Sequence, residues 1–281
     1  MRAMIRLLVE PIVRAALAED LGRAGDITTD AVVPADARID AVIAARQPGV
    51  LAGLDAAMMA FELLDPSLEL KRLCPDGARI ERGQTVARIS GPARPVLAAE
   101  RTALNLLCRL SGVASATRSL ADAIEGHKAK IVCTRKTTPG LRILEKEAVR
   151  LGGGANHRFG LDDAMLIKDN HVAMAGGVVP ALQRAKAAAG HLVKIELEVD
   201  TLAQLEEALG EGFDAVLLDN MDPPTLRRAV ELVAERAITE ASGRITRETA
   251  PAIAAAGVDL ISSGWITHSA PILDLGLDVA D

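Results

Sequence analysis

From residue 130 onward the chain alternates between two textures, and this alternation restricts the fold more than any other feature. Short apolar, β-branched runs occur at 131–134, 164–167, 193–199, 215–218, 237–241 and 258–262. Alanine-rich or amphipathic helix patterns lie between most of them. Strands separated by helices build a parallel sheet with crossover helices, so an α/β fold is expected. In such folds the C-terminal strand ends share one rim, and ligands bind there. Each run here ends in a polar residue or a glycine turn: Arg135, Lys168, Glu198, Asp219, Ser242-Gly243 and Gly264. Cations stand on the early strands, carboxylates in the middle and glycine turns late. That ordering marks the rim as a site.

The stretch 133–171 concentrates the positive charge. Arg135, Lys136, Arg142, His157, Arg158, Lys168 and His171 surround the triplet Gly152-Gly153-Gly154. They sit in or beside turns, at the edges of short apolar runs, and a small polyanion suits such a mouth. Arg135, Lys136 and Arg158 fit a carboxylate or phosphate clamp, since guanidinium groups bind these anions in bidentate fashion. The alternative is surface pairing with Glu145 and Glu147. Lys168 suits an anion or a Schiff base, or else it pairs with Asp169. Glu198 and Asp219, on adjacent strands, suit Mg²⁺ or sugar hydroxyls, unless they pair with Lys194. Ser242-Gly243 and Gly264 suit a backbone phosphate cup, although tight turns also use glycine. Spacing alone leaves His157 and His268 ambiguous. His127, His191 and Glu196 receive no role.

Composition excludes several classes. The 281 residues are 49% hydrophobic and 25% charged, which is a globular balance. A net charge of −6 and 1% aromatic residues argue against nucleic-acid binding, so the cationic stretch is local. The three cysteines show no ligand spacing, and a reducing, cytoplasmic setting fits. The first apolar run is broken by Glu10, Pro11 and Arg14, unlike a signal peptide, and no run is long enough to span a membrane. Ahead of residue 130, a helix is expected at 10–21 with Pro11 in its first turn. GDITTD (25–30) reads as a turn into an extended segment. Residues 39–97 read as a small α+β unit, with strands at Ile39–Ala45 and Thr85–Ile89 and a helix near 55–64. A long helix follows at 98–124, with Ser111-Gly112 as the place for a bend. Arg101, Asn105 and Arg109 share one of its faces.

Eight segments carry a resemblance: EDLGRAGDITTD (19–30), ERTALNLLCRLSGVA (100–114), TRKTTPGLR (134–142), GGGANHRFGL (152–161), LIKDNH (166–171), LLDNM (217–221), EASG (240–243) and THSAP (267–271). With these in this order, the chain resembles the quinolinate phosphoribosyltransferase family of type II phosphoribosyltransferases. The resemblance implies an N-terminal α/β sandwich domain (1–105, rejoined by 267–281) packed on an incomplete, open α/β barrel (106–266). It implies transfer of phosphoribose from 5-phosphoribosyl 1-pyrophosphate to quinolinate, with decarboxylation, giving nicotinate mononucleotide, CO₂ and pyrophosphate for NAD biosynthesis. It also implies a homodimer with shared active sites, Arg101 being donated across the interface.

By the same resemblance Arg101, Arg135, Arg158 and Lys168 surround the quinolinate carboxylates. Lys136 and His157 serve the pyrophosphate side and the reacting centre. Glu198 and Asp219 handle Mg²⁺ and the ribose hydroxyls. Ser242, Gly243, Gly264 and His268 form the 5′-phosphate cup. The chain departs from the family pattern at Arg244, where a second glycine is common, at Trp265, where a smaller residue is usual, and at Cys133. Three alternatives stay open at this point: a molybdate-operon relative of the same fold, a Schiff-base barrel lyase using Lys168, and a non-catalytic anion-binding protein.

Overall fold

A computed structural model describes residues 3–280. In chain order the elements are α1 (Ala3–Leu21), α2 (Ile27–Val32), β1 (Arg38–Ala45), β2 (Gly49–Val50), α3 (Leu54–Leu64), β3 (Glu69–Arg72), β4 (Arg79–Ile80), β5 (Thr85–Pro92) and α4 (Ala93–Ala123). Next come β6 (Lys130–Val132), α5 (Arg142–Leu151), β7 (Met165–Ile167), α6 (Asp169–Ala175), α7 (Val178–Ala188), β8 (Ile195–Val199), α8 (Leu202–Leu209) and β9 (Ala215–Asp219). The chain closes with α9 (Pro223–Val233), β10 (Ile238–Ser242), α10 (Ala250–Ala254), β11 (Leu260–Ser262), α11 (Trp265–His268) and β12 (Leu275–Val279). No described helix is long and apolar enough to cross a membrane.

The chain forms two compact units. One comprises the chain up to Ala116, Thr138–Gly152 and the chain from Ala270; the other comprises Thr117–Thr137 and Gly153–Ser269. The resemblance placed the changes at 105/106 and 266/267, and it did not foresee that α5 would group with the first unit.

The first unit is built on an antiparallel sheet of order β12-β1-β5-β3. The tail returns as β12, pairing Val279 with Ala41 and Leu275 with Ala45. Alternation along β1 buries Ala41, Ile43 and Ala45, while α3 buries Met58 and Phe61 completely. Two early expectations change. GDITTD opens a helix, because Asp26 caps it: its carboxylate accepts the Thr29 N–H at 2.9 Å. Pro11 lies inside α1, not in its first turn. The helix α4 is unbroken through Ser111-Gly112. There the Ser111 hydroxyl both donates to the Ala52 carbonyl and accepts its N–H, so α4 satisfies a loop backbone that has no strand partner.

Buried charge ties α5 into this unit. Glu145 is fully buried and accepts two bonds from the Arg109 guanidinium, at 2.9 and 3.1 Å, and two from Thr138. Arg109 also donates to the Ala270 carbonyl at 3.1 Å, so one arginine links α4, the 138–152 segment and the returning tail.

The second unit is a six-stranded parallel sheet of order β6-β11-β10-β9-β8-β7, an open α/β barrel with β6 and β7 as its edges. Register plus strand alternation decides which side chains share a face. Glu196 pairs with Ala215, Glu198 and Glu240 both pair with Leu217, and Ser242 pairs with Asp219 and Ser262. Glu196, Glu198, Asp219, Glu240, Ser242 and Ser262 therefore point to one side. The intervening Ile195, Leu197, Val199, Val216, Leu218 and Ala241 are the buried apolar side.

Replacing Glu145 by Leu is expected to destabilise the protein by about 3–5 kcal/mol, because Arg109 would keep its burial and lose its carboxylate. Denaturant melts of the variant check this; a change below about 1 kcal/mol contradicts the tie.

Candidate active site

The rim at the C-terminal strand ends assembles from local devices. Arg135 and Lys136 follow β6, where the Thr134 hydroxyl accepts the Lys136 N–H at 3.0 Å. Beside β6 runs the segment at Ala155, whose N–H donates to Ile131 and whose carbonyl accepts from Cys133. That segment delivers His157 and Arg158. The turn after them is fixed by Asp163, which accepts the Phe159 and Gly160 N–H groups. Lys168 ends β7, and its N–H donates to His171 Nδ1 at 2.9 Å, which fixes the entry to α6.

His157 Nε2 lies 2.7 Å from Glu196 Oε2 and 3.9 Å from Glu240 Oε2. A residue beside edge strand β6 thus touches β8 and β10, which requires the sheet to curl around a shared interior. The Arg158 N–H donates to His157 Nδ1 at 2.7 Å. Nδ1 is therefore an acceptor, and the ring proton sits on Nε2, donated to Glu196. Both ring nitrogens have protein partners, so His157 as it stands offers neither to a reacting centre.

The guanidinium groups have the opposite character. Arg158 donates one bond to the Ala164 carbonyl at 2.9 Å, yet its Nε and that of Arg135 are buried without hydrogen-bond partners. Burial, and then the charge of Arg135, push the Arg158 guanidinium below its ordinary range. Glu145 and Glu147, the sequence candidates for neutralising this cluster, are committed to Arg109 and Arg150. Two like charges held together with unused donors form a receptor for an anion.

Carboxylates face them from the middle strands. Lys168 Nζ lies 3.6 Å from Glu198 Oε2, not against Asp169. Lys168 is half-exposed and ion-paired, unlike the desolvated amine of a Schiff-base lysine. Burial, only partly countered by Lys168, raises the proton affinity of Glu198, and the charge of Asp219 adds to it. Asp219 is oriented by the Asn220 side-chain amide, which donates at 2.6 Å. Lys194 pairs with Asp214 instead, at 2.5 Å, so it competes for neither carboxylate. Glu196, left without a role by its sequence, stands on the same face as Glu198. Glu240 also joins the cluster: it is 1% exposed, and its Oε1 has no hydrogen-bond partner. Burial first, then the charge of Glu196, push its carboxyl up to about 7.

The glycine turns close the rim. Gly243 has φ +99°, and a Cβ there would meet Asn220 Oδ1 at 2.2 Å, so only glycine fits. Arg244 follows at φ +50°, exposed and left-handed, which gives a physical reason for a glycine to suit this position. Gly264 lies against both the Lys136 stem and the His268 ring. The Thr267 hydroxyl donates to the Lys136 carbonyl at 2.8 Å, tying the β6 loop to α11. Lys136, Gly264 and His268 are thereby brought together. Arg101 belongs to the first unit, where its side chain is exposed on α4. Trp265 is partly exposed, and nothing in the structure explains its replacement of a smaller residue.

Known proteins give a consistent comparison. A family model described as "Quinolinate phosphoribosyl transferase, C-terminal domain" matches residues 113–278, and its N-terminal counterpart matches 26–111. A Mycobacterium leprae (strain TN) protein named nicotinate-nucleotide pyrophosphorylase (carboxylating) is 46% identical over 273 residues, covering 95% of each chain. The crystal structure of NadC from Streptococcus pyogenes superposes with a TM-score of 0.93 at 40% identity, covering 98% of each chain. The nicotinate-nucleotide pyrophosphorylase structure from Francisella tularensis gives 0.93 at 38% identity, covering 98% of this chain and 97% of the other.

Glu240 makes stability depend on pH. Its proton is held in the folded state up to about pH 7 but is lost near 4.5 when unfolded, so stability falls as pH rises through that window. Glu240→Gln removes this loss. Its melting temperature, relative to the parent protein, should be higher at pH 8 than at pH 5, by the equivalent of up to roughly 3 kcal/mol. An offset that does not change with pH contradicts the assignment.

Proposed function

We propose that this chain, which belongs to the quinolinate phosphoribosyltransferase family, joins quinolinate to the ribose of 5-phosphoribosyl 1-pyrophosphate and releases pyrophosphate and CO₂. The product is nicotinate mononucleotide, and the enzyme is a nicotinate-nucleotide pyrophosphorylase (carboxylating). The observation that carries this reading is the Arg135–Arg158 pair, whose buried Nε donors have no hydrogen-bond partner. A pyridine with two carboxylates supplies the missing acceptors, and Lys168 adds a third cation across the rim.

The chemistry asks for little covalent help from the protein. The ring nitrogen attacks the ribose C1 as pyrophosphate leaves, through an oxocarbenium-like transition state. Holding two polyanions in line is the main requirement. Arg135, Arg158 and Lys168 orient the pyridine. Lys136, beside Gly264 and His268, faces the phosphate-bearing substrate and offsets charge on the leaving group. Ser242, Gly243, Gly264 and His268 form the cup for the 5′-phosphate. Once the nitrogen is quaternary, it stabilises the carbanion left at the adjacent carbon as CO₂ departs; a proton from solvent then takes the place of the lost carboxylate, and the arginines need only hold the remaining one.

Glu198 and Asp219 suit Mg²⁺. They are hard oxygen donors on one face, and Glu198 is partly buried and repelled by Asp219, so a cation relieves both. When bound, Mg²⁺ neutralises phosphate oxygens, while the two carboxylates also reach ribose hydroxyls. A homodimer completes the reading: Arg101, exposed on α4, serves the site of a second copy. The free cysteines Cys74, Cys108 and Cys133 support a reducing, cytoplasmic setting.

Release of ¹⁴CO₂ from carboxyl-labelled quinolinate should require both phosphoribosyl pyrophosphate and Mg²⁺; release without the ribose donor, or none at all, overturns the proposal. Arg135→Ala should cut kcat/KM for quinolinate by at least about 100-fold. An inactive Arg101→Ala protein mixed with an inactive Lys168→Ala protein should regain activity as hybrids form, and no recovery after subunit exchange would count against shared sites.

A further inference from the structure

One buried hydroxyl stands among the residues given to the phosphate side of the site. Thr267 lies in α11 with no exposure, and a buried hydroxyl needs partners. Its oxygen lies 2.8 Å from the Lys136 carbonyl and 3.0 Å from that of Gly264. The Gly264 carbonyl already accepts the backbone N–H groups of Thr267 at 3.1 Å and of His268 at 3.0 Å. A hydroxyl has a single proton to give, so it goes to Lys136, the closer of the two acceptors.

This bond acts on a lysine whose other peptide group is also held. The Lys136 N–H donates to the Thr134 hydroxyl at 3.0 Å. Lys136 is thus gripped through both of its peptide groups, while its side chain is exposed. The stem is aimed by the start of α11. A Cβ on Gly264 would meet Lys136 Cδ at 2.9 Å and His268 Cδ2 at 3.1 Å, so stem and ring both rest on bare backbone. α11 itself is a single turn, too short to stand on its own hydrogen bonds. The Thr267 hydroxyl therefore joins a marginal turn to the loop after β6, and it sets the lysine against the surface on which its stem leans.

We propose that Thr267 is a positioning residue for the pyrophosphate end of the ribose donor. It touches no substrate. It holds the Lys136 backbone to α11, so that the ammonium stays where charge builds on the leaving group. The effect belongs to one side of the site. Of the cations given to quinolinate, Arg158 and Lys168 stand on other segments. Arg135 lies inside the Thr134–Lys136 turn, whose hydrogen bond does not use Thr267.

Because this rests on the function proposed above, the test reads binding without turnover, and the two can fail separately. A parent protein that binds pyrophosphate but releases no CO₂ sinks the function and leaves Thr267 open to the same measurements. Calorimetry of the full chain uses two probes, inorganic pyrophosphate with Mg²⁺ and quinolinate. Thr267→Val keeps the volume and loses the hydroxyl; Thr267→Ser keeps the hydroxyl. Thr267→Val should weaken pyrophosphate binding about tenfold and leave quinolinate within about twofold, while Thr267→Ser stays within about threefold of the parent for both. In a Lys136→Met background, Thr267→Val should cost pyrophosphate no more than about a further twofold, because the two residues act as one unit. Equal losses in the Val and Ser variants, equal losses of both probes, full additivity with Lys136→Met, or a parent that does not bind pyrophosphate each overturns the proposal. Thr267→Ala is read in the same way if Thr267→Val does not fold. If neither folds, Lys136→Met decides, and an unchanged pyrophosphate affinity in that variant overturns the proposal.

Discussion

Positive charge that the protein leaves with unused hydrogen-bond donors is the constraint on which the rest of this structure depends. Arg135 and Arg158 stand together with buried, unused Nε donors, and their mutual repulsion is a cost that folding must offset elsewhere. The offset comes from ordinary sources: apolar faces on every strand of the parallel sheet, and the buried Arg109–Glu145 pair that secures α5 in the first unit. Nearby carboxylates relieve the cluster only in part. Glu145 and Glu147 serve Arg109 and Arg150, and Asp163, whose oxygens accept the turn N–H groups behind Arg158, offsets its charge only at a distance, as does Glu196. The site is thus kept short of acceptors by positions that look incidental in isolation.

Parallel register organises the opposing charge. Because Cα partners on adjacent strands point the same way, a carboxylate at alternate positions of β8 and at the end of β9 meets the same interior. Two levels result. Glu198 and Asp219 lie near the exit, where they are partly exposed and suited to a cation and hydroxyls. Glu196 and Glu240 lie deeper, where burial favours the protonated form of Glu240. His157 reaches this deeper level while its neighbour Arg158 serves the upper one, so a single segment couples the two.

Much of this was legible in the chain. The strand–helix alternation after residue 130 gave the parallel sheet, and the residues ending its strands do share one rim. The return of the tail to the first unit came from the family resemblance, which also supplies the roles proposed for the rim residues. What stayed hidden has physical reasons. Glu196 sits within IELEV, an apolar run whose alternation places two carboxylates on one face; strict period-two reading would have paired Glu196 with Glu198. Glu240 lies in a strand whose burial depends on neighbours distant in sequence. The α2 helix was missed because β-branched residues in ITTD suggested an extended chain, while the Asp26 cap decided otherwise. The membership of α5 in the first unit depends on Arg109, whose partner no local pattern identifies.

The central claim is that the paired arginines await two carboxylates on one ring. Titration calorimetry of the unliganded protein with quinolinate and with nicotinate, which lacks one of them, tests it most directly. The account predicts that quinolinate binds at least about tenfold more tightly, since each charge-assisted pair is worth about 1.5–3 kcal/mol. Equal affinities for the two acids would contradict it.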